Sequence, residues 1–174
     1  MDPGQSEMAG LLFFSKLCPK TRALCSNISM DAYEKAIKLL AIREHTEREL
    51  RRKLSDKGYT NSDVDEAISR LLEEGSLSEQ RFAESYVRSR LRKSPEGKSV
   101  LRMRLKEKGT PSSVADEVLA YVWDNGLYLK PLAVYYSQLQ RKKGEEGARV
   151  TLLRKGFSDR EIREALSSDS TVCE

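Results

Sequence analysis

The residues of this chain that most clearly could bind a ligand are basic, and many of them lie in two short stretches. Residues 88–108 contain nine arginine and lysine residues against two glutamates, a local charge of +7 in a chain with a formal net charge of +4. Residues 141–155 contain six basic residues against two acidic ones. Positive charge concentrated in this way is typical of a surface that binds a polyanion such as DNA, although basic side chains also serve simply to keep exposed helix faces in water. The candidate contact residues are Arg88, Arg90, Arg92, Lys93, Lys98, Arg102, Arg104, Lys106, Lys108, Arg141, Lys142 and Lys143.

Patterns for catalysis or metal binding are missing from the sequence. The single histidine, His45, has no cysteine or second histidine near it, and there is no glycine-rich phosphate loop or metal-ligand spacing. The acid pairs at 73–74 and 145–146 cannot converge on one ion, because adjacent residues of a helix point about 100° apart. The sequence therefore predicts no enzyme activity, no cofactor and no metal. His45 is interpreted as a partly exposed residue at the start of a helix.

A short pattern that occurs three times indicates the helices that position the basic residues. In each copy, apolar residues lie eight and four positions before the glycine of a Lys-Gly pair, and these pairs are at 57–58, 108–109 and 155–156. This spacing places the apolar residues on one side of a two-turn helix, and a glycine after the last turn is a common helix stop. Lysine in the last turn also has a structural role, because it offsets the negative end of the helix dipole. A signal for a new helix follows each pair, and these signals are Thr60, Thr110 with Pro111, and Ser158 with Glu161.

The copies are about fifty residues apart, which is the kind of period that marks a repeat protein. Each repeat is predicted to contain three short helices, and the fold class is therefore all-α. The predicted bounds of the repeats are 30–75, 76–125 and 126–167. A capping box of Thr46 and Glu49 is predicted to start the second helix of the first repeat. Because each short helix must bury its apolar face against its neighbours, we expect the repeats to stack into an elongated, curved molecule.

The flanks differ from the repeats in composition. Residues 1–29 contain a short apolar run with no basic region ahead of it, so they make a poor signal peptide. They are predicted to be either a disordered leader or the result of a misassigned start, with translation beginning at Met30. Residues 168–174 are predicted to be a disordered tail. All three cysteines lie in these flanks, where an odd number forms no disulfide framework, and no apolar run approaches the length of a membrane span. A soluble, cytoplasmic monomer is expected.

The repeated region resembles a known family. The stretch 81–93 reads Arg-Phe-Ala-Glu-Ser-Tyr-Val-Arg-Ser-Arg-Leu-Arg-Lys and is followed by a helix with the pattern Leu-x3-Leu-x2-Lys-Gly. This combination closely resembles the RecX family of bacterial RecA regulators. The resemblance covers about residues 31–166, and its other matching stretches are 32–40, 43–46, 49–54, 57–59 and 157–158.

The resemblance implies both a fold and a function. The fold would be tandem three-helix repeats related to helix-turn-helix units. The protein would bind the helical groove of a RecA filament on single- or double-stranded DNA, with the basic residues contacting RecA or phosphates. It would act mainly as an inhibitor of filament assembly, ATP hydrolysis and strand exchange in homologous recombination, DNA repair and the SOS response. After Lys93, however, this chain has Ser-Pro-Glu-Gly-Lys in place of the family's usual Lys-Gly-x-Gly-Pro turn, so contacts at that turn are not carried over.

The alternative function is that of a helix-turn-helix protein that reads DNA sequence directly, since three-helix units of this size commonly house such a reader. Base reading requires a helix that offers arginine, asparagine or glutamine to the major groove. The third helices of the repeats, which correspond to recognition helices, tend to be acidic. The sequence therefore favours contact with a filament or with phosphates over base reading.

Overall fold

The computed structural model describes residues 31–169, and within this range the chain forms eight helices and no strand. The prediction of an all-α fold built from three-helix repeats is confirmed. No helix in this range is long and apolar enough to cross a membrane. Helix α1 covers residues 31–40, and the other helices are α2 (Glu47–Ser55), α3 (Asn61–Glu73), α4 (Glu79–Lys93), α5 (Lys98–Lys108), α6 (Ser112–Asp124), α7 (Leu129–Arg154) and α8 (Asp159–Asp169).

The predictions for the two flanks fall largely outside the described residues. Those for residues 1–29 lie entirely outside them, as do those for residues 170–174. Helix α8 extends to Asp169, so residues 168 and 169 are helical although the sequence predicted them to be part of a disordered tail.

Polar side chains at the helix starts explain several of the boundaries. Thr60 and Asp63 form a complete capping box at α3, in which each side chain satisfies a backbone N–H of the other residue. Ser158 and Glu161 form the predicted capping box at α8 in the same way. Helix α6 begins one residue later than predicted, because Pro111 is the N-cap and has extended backbone, with φ −54° and ψ 140°.

The segment between α1 and α2 is more buried than the sequence indicated. The interpretation of His45 as partly exposed is wrong, because this residue is 1% exposed. Its Nδ1 lies 3.1 Å from Oε2 of Glu49, and the same carboxylate accepts hydrogen bonds from Arg43 at 2.5 and 3.1 Å. The predicted capping box is therefore only half formed: Thr46 Oγ1 accepts from the Glu49 N–H, but the Glu49 carboxylate is occupied by Arg43 and His45. Burial alone would raise the pKa of Glu49, but these two neighbours outweigh it and lower the pKa to about 2.

The three Lys-Gly pairs end helices as predicted. Their glycines have left-handed backbone, with φ of 89°, 95° and 85° at Gly58, Gly109 and Gly156. A Cβ would strain the backbone at these angles, so glycine is needed where the second helix of each repeat turns into the third. Helix α7 contains a further break at Gly144, with φ 76° and ψ 175°, and this break separates the first two helices of the third repeat.

The apolar faces of the helices bury two separate clusters. The smaller cluster consists of Ala36, Leu50, Leu54, Val64, Ile68 and Leu71 of repeat 1 together with Leu77, which lies at the start of repeat 2. The larger cluster includes residues from Phe82 in α4 to Ala165 in α8. Repeats 2 and 3 therefore share one core, whereas repeat 1 has a core of its own.

At both junctions between repeats, the earlier repeat donates a hydrogen bond to the carbonyl oxygen of the lysine in the next repeat's Lys-Gly pair. At the first junction, Thr46 Oγ1 donates a hydrogen bond to the carbonyl oxygen of Lys108 at 2.9 Å. At the second junction, the Gly97 N–H donates to the carbonyl oxygen of Lys155 at 2.9 Å. Each donor is the N-cap of the second helix in its repeat, and each acceptor is the lysine of the next repeat's Lys-Gly pair. The Lys-Gly turn therefore ends a helix and also holds the preceding repeat.

Candidate nucleic-acid interface

All twelve predicted contact residues lie on helices of repeats 2 and 3. Four are in the second half of α4, five are in α5 and three are in α7. Each of these helices buries an apolar face, which directs most of the basic side chains outward. The structure divides the basic residues into groups according to the neighbours that their side chains contact.

The first group is neutralised by Glu96, a residue that is only 5% exposed. Its Oε2 lies 2.7 Å from Arg104 Nε and 3.9 Å from Arg90 Nε. Arg90 also donates a hydrogen bond to the Tyr86 hydroxyl at 3.3 Å, which raises the pKa of Arg90. A buried carboxylate is stable only with such partners. Arg90 and Arg104 are thus used inside repeat 2, and they offer less charge to a ligand than the other cations do.

The second group lies on α5 and is the most open. Leu101 and Leu105 of this helix are buried, and Arg102 and Lys106 each follow one of these leucines, so they lie together to one side of the buried face. Lys98, Lys106 and Lys108 are exposed, and none of them forms an ion pair with another described residue. Arg102 pairs with Asp116 of α6 at 2.6 Å, but both side chains are about half exposed. Because an exposed ion pair of this kind stabilises the fold by roughly 1 kcal/mol or less, Arg102 is free to exchange Asp116 for a phosphate.

The third group consists of Arg88, Arg92 and Lys93, which line a groove between α4, α6 and the first turns of α7. This α4–α6–α7 groove has a volume of about 960 Å³. Lys130 of α7 adds a fourth cation to the same groove, and sequence reasoning did not include it. The three helices that form the groove come from separate parts of the chain, so no local sequence pattern indicates it. Hydrophobic residues in the lining include Val87, Leu91, Val118, Tyr121, Leu127 and Val134.

The last group, Arg141 to Lys143, lies at the end of the first half of α7, just before the break at Gly144. These three side chains are exposed and have no ion-pair partner among residues 31–169. Further along the same helix, Arg149 is paired with Asp159 at 2.8 Å. Residues 141–143 thus form a second, smaller open basic site, separate from the paired arginine that follows them.

The turn 94–97, where the chain departs from the usual family pattern, packs against repeat 3. Its last three residues are buried, and Lys155 Nζ donates a hydrogen bond to Ser94 Oγ at 2.7 Å. A Cβ on Gly97 would lie 1.9 Å from the carbonyl oxygen of Gly156, so only glycine fits at this contact. The turn therefore positions repeats 2 and 3 relative to each other.

The third helix of repeat 2 presents little that could bind DNA. Helix α6 contains no basic residue, and Asp116, Glu117 and Asp124 lie along it. A recognition helix in the major groove would bring these carboxylates close to the phosphates, where like charges repel. The open cations of the repeat therefore belong to its first and second helices.

Comparison with known proteins agrees with this architecture. The family model for the first three-helix domain of RecX matches residues 32–71, and that for the second three-helix domain of RecX matches residues 78–119. The regulatory protein RecX of Chlorobium phaeobacteroides (strain BS1) is 33% identical over 141 residues, which cover 78% of this chain and 91% of that protein. The regulatory protein RecX of Vibrio vulnificus (strain CMCP6) is 33% identical over 145 residues, which cover 81% and 94% of the two chains.

Solved structures show the same fold. The crystal structure of RecX from Lactobacillus salivarius matches with a TM-score of 0.66 and 22% identity, over 84% of this chain and 99% of the other. A crystal structure of another regulatory protein RecX matches with a TM-score of 0.69 and 21% identity, over 89% and 82% of the two chains. At these identities the structures support the fold alone, whereas the family models and the curated relatives extend the match to the sequence. The chain belongs to the RecX family of regulatory proteins.

Proposed function

We propose that this protein binds the filament that RecA forms on DNA and acts mainly as its inhibitor, limiting filament assembly, ATP hydrolysis and strand exchange during recombination and repair. Membership of a family of regulatory proteins supports the regulatory part of this proposal. The observation that carries the binding part is the open basic surface of α5, where Lys98, Lys106 and Lys108 lack ion-pair partners among the described residues and Arg102 has only an exposed one.

Helix α5 suits a phosphate backbone because it holds its cations at fixed spacing. Lys98, Arg102 and Lys106 are four residues apart, so they follow one another along one side of the helix. Each phosphate that a lysine or arginine neutralises releases counterions into solution. The logarithm of affinity should therefore fall with the logarithm of salt concentration, by about 0.7 per contact on single strands and about 0.9 on duplex DNA. Contacts of this kind position a protein on DNA without reading its sequence.

A direct, sequence-specific DNA-binding protein is the alternative function. It is disfavoured because α6, which corresponds to the recognition helix of a helix-turn-helix unit, carries acidic residues and no basic ones. Affinity for duplexes of unrelated sequence separates the two functions. We expect equal affinities within a factor of about three, whereas a base reader typically discriminates by about a thousandfold or more.

The experiment that tests the proposed function follows ATP hydrolysis by RecA on single-stranded DNA while the purified protein is added. We expect hydrolysis to fall at amounts well below one protein per RecA, because one bound molecule affects several filament subunits. Strand exchange should fall over the same range of concentration. Hydrolysis that is unchanged at equimolar protein would contradict the proposal.

A further inference from the structure

The α4–α6–α7 groove exposes both hydrophobic and basic side chains. Among the large hydrophobic side chains exposed in residues 31–169, Tyr121, Leu127 and Val134 all line this groove, and they are 64%, 52% and 50% exposed. A concentration of exposed apolar side chains marks a surface that another molecule covers. The volume of about 960 Å³ lies near the upper end of the roughly 300–1,000 Å³ range of small-ligand pockets, so one side chain would not fill it.

The charged residues of the groove are mainly basic. Arg88, Arg92, Lys93 and Lys130 outnumber the two acidic residues of the lining, Glu84 and Glu117. None of the four cations forms an ion pair within the described part of the chain. Arg88 and Arg92 are four residues apart on α4, so they are successive along one side of that helix. The groove therefore combines exposed apolar side chains, here called its floor, with four cations, of which Arg88 and Arg92 are one helical turn apart.

We propose that this groove is a docking site for an acidic amphipathic helix of a protein partner. The apolar side chains of such a helix would cover Leu127, Val134 and the Tyr121 ring, as in other complexes where a helix lies in a hydrophobic groove. Carboxylates one turn apart on its other edge would meet Arg88 and Arg92. If the proposed function is correct, the partner helix belongs to the protein part of the filament, and α5 contacts the DNA part.

The floor of the groove distinguishes this occupant from nucleic acid. Single-stranded DNA is held by aromatic rings on which bases stack. Here Tyr121 is the one strongly exposed ring of the lining, Leu127 and Val134 are aliphatic, and Lys155 already lies 5.3 Å from the centre of the Tyr135 ring. The apolar face of a helix fits these aliphatic side chains better than stacked bases do, and its carboxylates can pair with the cations of the groove.

The first test uses a peptide probe and needs no RecA. A fluorescent, hydrocarbon-stapled peptide of about four helical turns, with leucine at i, i+3, i+4 and i+7 and glutamate elsewhere, is titrated with the full-length protein. A matched peptide has lysine in place of every glutamate. We expect the glutamate peptide to bind at least about tenfold more tightly, as measured by fluorescence anisotropy. Equal binding of the two peptides, or binding of neither, would overturn the proposal.

Two variants assign this binding to the groove. Val134→Asp places a charge on the floor and should weaken binding of the glutamate peptide by about tenfold or more, whereas Val150→Asp, on the same helix but outside the groove, should not change it. Both valines are partly exposed, at 50% and 39%, and matching thermal melts confirm that both variants fold. The double variant Arg88→Glu/Arg92→Glu should reverse the preference in favour of the lysine peptide. If Val134→Asp binds the glutamate peptide as tightly as the wild-type protein does, the proposal is contradicted.

The second test identifies the natural occupant. A photo-crosslinking amino acid replaces Gln138, which lines the groove, and the full chain is irradiated with RecA filaments on single-stranded DNA. We expect crosslinks to an acidic segment of RecA. Crosslinks to DNA, to residues 1–30 of the same chain or to a second copy would overturn the assigned occupant. The two proposals fail separately. Absence of RecA inhibition by the wild-type protein refutes the proposed function, whereas wild-type inhibition by Val134→Asp refutes docking of the filament in the groove.

Discussion

Repeats 1 and 2 both consist of three helices, yet the basic side chains of their second helices differ in the acidic partners available to them. Arg51 of α2 and Arg102 of α5 occupy equivalent positions, and each pairs with the acidic residue fourteen positions later in the third helix of its repeat. Arg51 has a second partner in Glu47, the first residue of α2. The equivalent first residue of α5 is Lys98, which adds a cation where repeat 1 has a carboxylate.

This difference shows how one scaffold supplies either a stabilising network or a binding surface. In repeat 1, most arginines have partners within the repeat, and these pairs are Arg43 with Glu49, Arg51 with Glu47 and Asp65, and Arg70 with Glu74. In repeat 2, the only buried carboxylate, Glu96, satisfies two arginines and leaves the cations of α5 open. An open basic surface therefore arises from the absence of nearby acids as much as from the number of bases.

The junction between repeats 1 and 2 also differs from the junction between repeats 2 and 3. Repeat 1 meets repeat 2 through polar contacts, including Thr46 with the Lys108 carbonyl oxygen and Arg81 with Glu44, and through Leu77. Leu77 is the one residue of repeat 2 in the smaller hydrophobic cluster, and the clustered residues of repeat 2 from Phe82 onward belong to the larger one. Repeats 2 and 3 share one cluster and a close backbone contact. We infer that repeats 2 and 3 unfold as one unit, and that repeat 1 is able to unfold separately.

The substitution Gly97→Ala should have the largest effect on stability, because its Cβ would lie 1.9 Å from the Gly156 carbonyl oxygen in the shared unit. We expect a loss of about 3 kcal/mol or more in the free energy of unfolding. Urea unfolding followed by the fluorescence of Trp123, the single tryptophan of the chain, measures it. The control is Gly144→Ala, where nothing lies within 4 Å and only the backbone conformation, which is essentially restricted to glycine, adds strain of about 1–3 kcal/mol. Equal losses in the two variants would mean that the repeats do not meet at Gly97.

At the first junction, Thr46→Ala should destabilise repeat 1 by about 1–2 kcal/mol. It removes both a helix cap and the hydrogen bond to the Lys108 carbonyl oxygen. Thr60→Ala is the matched control, because it removes a cap that makes no junction contact. Circular dichroism of the whole chain should show an early partial transition in Thr46→Ala that Trp123 fluorescence does not report. Coincident transitions by both probes would contradict separate unfolding of repeat 1.

Acidification should have the smallest effect, again confined to repeat 1. Burial lowers the pKa of His45 below its ordinary 6.5, so the stability that its neutral form contributes is complete above pH 6.5 and is lost as the pH falls through the folded-state pKa. Glu49, with a pKa of about 2, contributes stability above pH 4.5 that is lost between pH 4.5 and 2. Circular dichroism melts at several pH values should show both steps. His45→Gln should remove the upper step and reduce the lower one, because His45 also helps to lower the pKa of Glu49. A melting temperature independent of pH between 6.5 and 4.5 would refute the role of His45.

Local features of the structure were predictable from sequence. The glycine stops and the cap at Thr60 depend on residues only a few positions apart, and buried Leu101 and Leu105 followed from helical spacing alone. These signals were sufficient to predict an all-α repeat protein.

The contacts between distant residues could not be predicted in this way. Burial of His45 depends on its neighbours in the folded repeat, and the neutralisation of Arg104 by Glu96 depends on how the turn 94–97 folds back toward α5. The α4–α6–α7 groove and the contribution of Lys130 arise only when three helices meet. Charge counting along the chain thus located the basic region but did not separate its open cations from its paired ones.

The most direct test of the binding account compares two triple variants with equal loss of charge. Lys98→Gln/Arg102→Gln/Lys106→Gln removes three of the four open cations of α5. Arg52→Gln/Lys53→Gln/Lys57→Gln removes three basic residues at and after the end of α2. All six side chains are exposed or partly exposed, so each change should alter stability by no more than about 0.5 kcal/mol.

Inhibition of RecA ATP hydrolysis by the two triple variants is the deciding measurement. The α5 variant should require at least about tenfold more protein for half-maximal inhibition, and the salt slope of its DNA affinity should shrink by about two to three units. The α2 variant should match the wild type in both respects. Wild-type inhibition by the α5 variant, or equal loss in the two variants, would contradict the claim that the open cations of repeat 2 bind the filament.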